Sequence, residues 1–172
     1  MMNGKMDSIW QRAVSFAARA HDGQFRKDKV TPYIAHPFRV AMTVRHVFGS
    51  EDVTALAAAL LHDTIEDTTT DYDDLLAEFG REVADAVAAL TKDMRMEEAK
   101  REQAYDQQLA NASWQARLVK LADAYDNYCD QFDETKRAKA VEKARRAIAC
   151  AGDDPRLQVA VAAVRKLIDG QS

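Results

Sequence analysis

Four ionisable side chains directly follow the apolar run 56–61 (LAAALL): His62, Asp63, Glu66 and Asp67. The run is typical of a buried helix, because alanine and leucine have high helix propensity. Charged groups at the end of a buried helix are costly to desolvate unless they are paired or coordinate a metal. Residues four apart share one face of a helix, so we expect His62 with Glu66, and Asp63 with Asp67, to face one cavity.

The same pattern is compatible with a helix end followed by a solvated acidic loop, since residues 63–74 are rich in Asp and Thr. Partners elsewhere in the chain favour a metal site. His36 lies between two prolines that restrict the backbone, and Asp123 follows the apolar helical segment 118–122. A two-nitrogen, two-oxygen set suits a divalent ion such as Mn, Fe, Co, Ni or Zn, and its members are His36, His62, Asp63 and Asp123.

The order of these motifs resembles the HD-domain phosphohydrolases, and among them the hydrolase domain of RelA/SpoT proteins and its small stand-alone metazoan homologues. The resemblance covers residues 6 to 131 and is carried by the segments 20–27 (AHDGQFRK), 32–37 (PYIAHP), 62–67 (HDTIED), 79–80 (FG), 91–92 (TK) and 120–123 (KLAD). It implies an all-α fold, a single HD-domain helical bundle of about eight to nine helices spanning residues 1–172. Residues 132–172 are expected to form C-terminal helices.

The resemblance also implies roles for individual residues. Glu66 and Asp67 are expected to act in catalysis, one on the attacking water and the other on the leaving group, without a division of these roles. Residues expected to bind the phosphorylated substrate are Arg26, Lys27, Lys92 and Asn127. Manganese is the expected ion, with Fe, Co, Ni and Zn as alternatives.

Two features depart from the family pattern. Asp28 follows the basic pair, and residues 28–31 lack the glycine that often precedes Pro-Tyr. Tyr125 and Asp126 replace a Leu-His or Leu-Tyr pair, which adds a negative charge near the site. These departures leave the nucleobase preference open.

The resemblance implies removal of the 3′-pyrophosphate of guanosine tetraphosphate or pentaphosphate, which leaves GDP or GTP. An HD-domain nucleotidase acting on NADPH or on deoxynucleoside monophosphates is the alternative enzyme. A metal-bearing regulatory module that binds a nucleotide without cleaving it is the alternative that is not an enzyme. The sequence contains no Walker-type glycine loop, no Gly-x-Ser-x-Gly motif and no dinucleotide fingerprint.

Length, charge and cysteine content bear on the number of domains, the class of partner and the location of the protein. With 172 residues and 19.2 kDa, we expect one domain, which excludes synthetase and regulatory regions. A net charge of −4 argues against a nucleic-acid binder. Cys129 and Cys150 lack metal-type spacing, and with no signal peptide or membrane-spanning stretch they indicate a cytoplasmic protein. The last two helices, 133–150 and 154–169, are expected to serve as scaffold or as a homodimer surface.

Overall fold

The structure, a computed structural model, describes residues 4–131 and 133–170, with side chains from residue 9 onward. Within this part, nine α-helices of eight residues or more and one single-turn helix follow each other: α1 (Gly4–Ala20), α2 (Ala35–Met42), α3 (Val53–Leu61), the single turn α4 (Thr64–Asp67), α5 (Tyr72–Phe79), α6 (Arg81–Leu90), α7 (Glu98–Ala110), α8 (Trp114–Cys129), α9 (Glu134–Ala151) and α10 (Gln158–Asp169).

Strand pairing in the described residues is limited to one isolated antiparallel bridge between Phe25 and Pro32. The prediction of an all-α fold is therefore confirmed. None of the described helices combines the length and the apolar character that crossing a membrane requires. A π-helical turn, Thr43–Val47, extends α2, and a 3₁₀ turn, Pro155–Leu157, leads into α10.

Helix α3 lies at the centre of the core and packs against α1, α2, α6 and α8. Each residue from Ala55 to Leu61 is at most 3% exposed. The small side chains of Ala57, Ala58 and Ala59 let the surrounding helices approach closely, while Leu60 and Leu61 fill the space between them. This packing fixes the end of α3, which is where the His-Asp pair begins.

The sequence analysis placed the His-Asp pair on a continuous helix, but α3 does not continue through that pair. It ends at Leu61, and Asp63 has φ −99° and ψ −2°, values typical of a turn. The Thr64 hydroxyl donates a hydrogen bond to the Leu61 carbonyl at 2.7 Å, and α4 then begins. The turn places His62 and Asp63 just beyond α3, where His62 stays buried and Asp63 is half-buried.

Candidate metal centre and the adjoining basic cavity

The four predicted ligands come from three elements and lie at one place. His36 belongs to the first turn of α2, where Pro37 is tolerated because early helical N–H groups have no partner within the helix. His62 and Asp63 form the turn between α3 and α4, and Asp123 lies in the middle of α8. The three helices are neighbours in the core, so their side chains meet.

Nitrogen and oxygen atoms of this set face each other at short range. His36 Nε2 lies 3.2 Å from Asp123 Oδ1 and 3.6 Å from Asp63 Oδ2. His62 Nε2 lies 3.1 Å from Asp63 Oδ2 and 3.8 Å from Asp123 Oδ1. Ligand atoms of His36, His62 and Asp123 all lie within 4.8 Å of one another. This spacing fits one cation bound among them.

The hydrogen bonding of His62 shows that its Nε2 is available as a ligand. Its Nδ1 lies 2.8 Å from the Ala59 carbonyl oxygen, which can only accept, so Nδ1 carries the proton. The buried Nε2 makes no hydrogen bond, although it faces the carboxylates of Asp63 and Asp123. A buried nitrogen lone pair next to acceptor oxygens calls for a cation.

The acidic groups attract positive charge strongly. Burial disfavours protonation of His62, yet the carboxylate of Asp63, with that of Asp123, raises its pKa to about 9. Burial would raise the pKa of Asp63, but the His62 ring lowers it well below its usual range. In the metal-free protein a proton on His62 supplies the positive charge, so binding of a metal ion would release that proton.

The two predicted catalytic acids lie beside the ligands. The Tyr33 hydroxyl lies 2.7 Å from Asp63 Oδ2 and 3.1 Å from Asp67 Oδ2. Glu66 Oε2 accepts a hydrogen bond from the Lys92 backbone N–H at 2.8 Å. Burial, together with the charge of Asp63, raises the pKa of both Glu66 and Asp67. A carboxyl group with a raised pKa is suited to proton transfer near neutral pH.

Two adjoining cavities surround these groups. The first, of about 310 Å³, contains all four candidate ligands as well as Glu66 and Asp67. The second, of about 200 Å³, extends from it towards α9. Both are lined by Lys27, Lys92, Tyr105, Lys120, Asp123, Asn127 and Lys143.

Helix α9 forms the far wall of the second cavity with one basic face. Its members are Lys136, Lys139, Lys143 and Arg146, which the helical repeat places in one row. Burial and the nearby charges of Lys92 and Lys120 lower the pKa of Lys143, a sign that positive charge accumulates here. Sequence analysis assigned this helix to scaffold or dimer surface. The regular spacing of its cations was the available signal that this helix has one basic face.

Lys27, Lys92 and Asn127, which the sequence predicts to bind substrate, line both cavities. Lys92 Nζ is paired with Glu102 at 2.6 Å, so α7 neutralises part of its charge. Asn127 donates from Nδ2 to Asp123 Oδ1 at 2.5 Å. It is therefore placed against a candidate metal ligand.

Arg26 differs from the other predicted substrate-binding residues. Its guanidinium pairs with Asp130 at 2.7 Å and lies over the Tyr33 ring, and its side chain is only 9% exposed. It also donates a 3.4 Å hydrogen bond to Asn127 Oδ1. Arg26 also lines the cavity of the candidate ligands, but its charge is already paired with Asp130.

Two residues that line the site had no assigned role in the sequence analysis. Tyr33 bridges Asp63 and Asp67 through its hydroxyl. Lys120 is half-buried, and its Nζ donates to Asp123 Oδ2 at 2.9 Å. Both lie within motifs that carry the family resemblance, the segments 32–37 and 120–123, so the motif itself was the available signal.

A helical fold in which separate helices bring together a His, a His-Asp pair and an Asp defines the HD-domain class. The family model described as HD domain matches residues 13–169. The chain belongs to the HD-domain family.

The relatives define the branch of this family. The chain is 42% identical over 130 residues to the guanosine-3′,5′-bis(diphosphate) 3′-pyrophosphohydrolase MESH1 of Danio rerio, covering 75% of this chain and 72% of that protein. It is 44% identical over 119 residues to the MESH1 of Homo sapiens, covering 69% of this chain and 66% of that protein. The predicted resemblance to stand-alone SpoT homologues is confirmed.

A solved structure of a metazoan ortholog of SpoT that hydrolyzes ppGpp superposes with a TM-score of 0.79. The two chains are 27% identical, and the superposition covers 93% of this chain and 95% of the other. The predicted HD-domain helical fold is therefore confirmed over most of the chain, the C-terminal helices included.

Proposed function

We propose that this protein is a metal-dependent phosphohydrolase that removes the 3′-pyrophosphate of guanosine tetraphosphate or pentaphosphate, leaving GDP or GTP. The observation that carries the proposal is the junction of two cavities: a cluster of His and Asp ligands opens directly into a space lined by lysines. Metal ligands alone would fit many reactions. A cation-lined space beside them selects a substrate with several negative charges.

The relatives specify the nucleotide. Proteins named guanosine-3′,5′-bis(diphosphate) 3′-pyrophosphohydrolase share 42% to 44% of aligned residues with this chain. Guanosine tetraphosphate carries one pyrophosphate group at the 3′ position and one at the 5′ position of its ribose. We infer that one group occupies the cavity of the His and Asp ligands and the other the cavity walled by α9.

His36, His62, Asp63 and Asp123 would hold a divalent ion, and we propose manganese. When bound, such an ion polarises a phosphoryl oxygen and lowers the pKa of a nearby water. Asn127, held by Asp123 and Arg26, presents an amide beside this position. Lys27, Lys92 and Lys143 bring positive charge to the phosphate oxygens.

Glu66 and Asp67 supply proton transfer on the open side of the site. Their raised pKa values allow one to take a proton from the water that attacks the 3′-phosphorus and the other to give a proton to the ribose 3′-oxygen, which leaves as the new hydroxyl of GDP or GTP. Tyr33 holds Asp67 in place through its hydroxyl. The Lys92 backbone N–H holds Glu66 in the same way.

A cytoplasmic location, homodimer formation and the absence of a nucleic-acid partner stay predictions of the sequence. Cys129 and Cys150 are free thiols in the described residues, in keeping with that location. Because the net charge of the protein is negative, an anionic substrate needs a local basic patch, and the basic face of α9 supplies one.

Removal of metal tests the proposal directly. With Mn²⁺ present, purified protein is expected to convert guanosine tetraphosphate to GDP and pyrophosphate, and an excess of chelator is expected to stop the reaction. Ion-exchange chromatography separates and identifies the products. Cleavage that persists in chelator would overturn the metal assignment, whereas turnover of NADPH or deoxynucleoside monophosphates alone would replace the substrate.

Lys143 tests the role of the α9 wall. Replacement of Lys143 by methionine keeps the apolar stem but removes a partly buried charge, which is worth about 1–2 kcal/mol to a phosphate contact. We expect KM for guanosine tetraphosphate to rise about 5- to 30-fold, with kcat little changed. Lys166→Met on the exposed face of α10 is the matched control and is expected to leave KM unchanged. An unaltered KM in Lys143→Met would remove α9 from the substrate site.

A further inference from the structure

The ring of His36 is held at both of its nitrogen atoms. Nε2 points to the carboxylates of Asp63 and Asp123 at 3.6 and 3.2 Å. Nδ1, at the opposite side of the ring, lies 2.7 Å from Asp126 Oδ2. His36 is 2% exposed and Asp126 is 5% exposed, so water has little access to this contact.

Arg39 holds Asp126 from its other side. It lies one turn after His36 on α2, and its guanidinium binds both oxygens of the carboxylate. Arg39 Nε donates to Asp126 Oδ1 at 2.6 Å, and Nη2 donates to Oδ2 at 3.0 Å. A two-point contact of this kind fixes the plane of the carboxylate as well as its position. Asp126 is thus aimed at His36 by a neighbour of His36 on the same helix.

The chemistry of Asp126 determines the role of the Nδ1 atom of His36. A carboxylate paired with arginine accepts hydrogen bonds and does not donate them. Nδ1 therefore donates to Asp126, and Nε2, which faces Asp63 and Asp123, is the nitrogen available to a bound ion. The Nδ1 atom of His62 makes the corresponding contact with a neutral carbonyl oxygen, that of Ala59. An anionic acceptor polarises an imidazole more strongly than a neutral one does and so makes Nε2 a better donor to a metal.

We propose that Asp126 is a positioning residue of the metal centre, which with Arg39 holds the His36 ring in the orientation and tautomer that bind the ion. The inference rests on the proposed function, because it assumes that His36 is a ligand. It assigns a purpose to the negative charge at position 126, where sequence analysis noted only a departure from the family pattern.

Metal affinity is the first test. Outer partners of ligating histidines are worth about 10- to 100-fold in metal affinity. Asp126→Leu, which is also branched at Cγ but has no acceptor, is expected to weaken Mn²⁺ binding by about that factor, measured by competition with a fluorescent chelator. Asp126→Asn keeps a neutral acceptor for Nδ1 and is expected to weaken binding by less. Binding is compared at a temperature where circular dichroism shows each variant to be folded.

The tautomer of His36 provides a readout that does not depend on metal or activity. In protein labelled with ¹⁵N histidine, the His36 signals of the metal-free wild type are expected to show a protonated Nδ1. Asp126→Leu is expected to lose this pattern, and Asp126→Asn to keep it with a shifted Nδ1 resonance. If Asp126→Leu does not fold, the Asp126→Asn shift and its weaker Mn²⁺ binding carry the test alone.

Arg117→Gln is the matched control, because it breaks another partly buried ion pair on α8, the 2.9 Å contact of Arg117 with Asp154. It is expected to lower the unfolding temperature without changing Mn²⁺ affinity. Wild-type affinity and an unchanged His36 spectrum in folded Asp126 variants would overturn the inference and reduce Asp126 to an ordinary ion pair. Failure of the wild type to bind Mn²⁺ would instead overturn the proposed function.

Discussion

Replacement of His62 by alanine is expected to abolish stable metal binding and to lower turnover of guanosine tetraphosphate by about 10³-fold or more. His62 Nε2 is a buried nitrogen without a hydrogen-bond partner, facing Asp63 and Asp123. Its loss leaves His36 as the nitrogen ligand of the proposed set. Several kcal/mol of transition-state stabilisation depend on the ion, and each 1.36 kcal/mol corresponds to about a tenfold change in rate.

The measurement is the manganese content after dialysis, by mass spectrometry, together with the rate of GDP formation. His46→Ala is the matched control, since His46 is an exposed histidine in the π-helical turn after α2. It is expected to retain both metal and activity. Stoichiometric manganese in the His62→Ala protein would show that the ligand assignment is wrong.

Replacement of Glu66 by glutamine is expected to have the second largest effect, a loss of about 10²- to 10⁴-fold in kcat with full metal content. Glutamine has the shape of glutamate, and its amide oxygen can still accept the hydrogen bond from the Lys92 backbone N–H. It cannot take up or release a proton at neutral pH. The change therefore removes proton transfer while it preserves the geometry of the site.

Single-turnover kinetics with saturating Mn²⁺ separate this loss from slower substrate binding. Glu78→Gln, which removes an exposed carboxylate on α5, is the control and is expected to behave as wild type. Near-normal turnover in Glu66→Gln would exclude Glu66 from the chemical step and leave Asp67 as the remaining candidate.

Helix boundaries were largely predictable because capping and periodicity are local properties. The helix from Tyr72 to Phe79 and its stop at Gly80 follow from apolar spacing and from glycine, whose φ of 84° here favours a residue without Cβ. The interruption of the helix at His62 was not predictable. It depends on a hydrogen bond from Thr64 to Leu61 and on the packing of α3 against four other helices.

The sequence by itself determined the all-α class, the HD-domain family and the set of residues from which a site could be assembled. These depend on residue types at short spacing. The ionisable side chains of a motif such as HDTIED are close in sequence and therefore close in space. A candidate divalent-metal site was therefore predictable from the motifs together with His36 and Asp123 elsewhere in the chain.

Only the tertiary structure decided which distant residues face each other. Arg26 pairs with Asp130, His36 with Asp126, and the basic face of α9 with the cavity of the candidate ligands. The physical reason is that helical periodicity specifies the face of a helix but not the partner of that face. The partner is selected when all the helices bury their apolar surfaces together, a choice made across 90 residues or more of chain for His36 and Asp126.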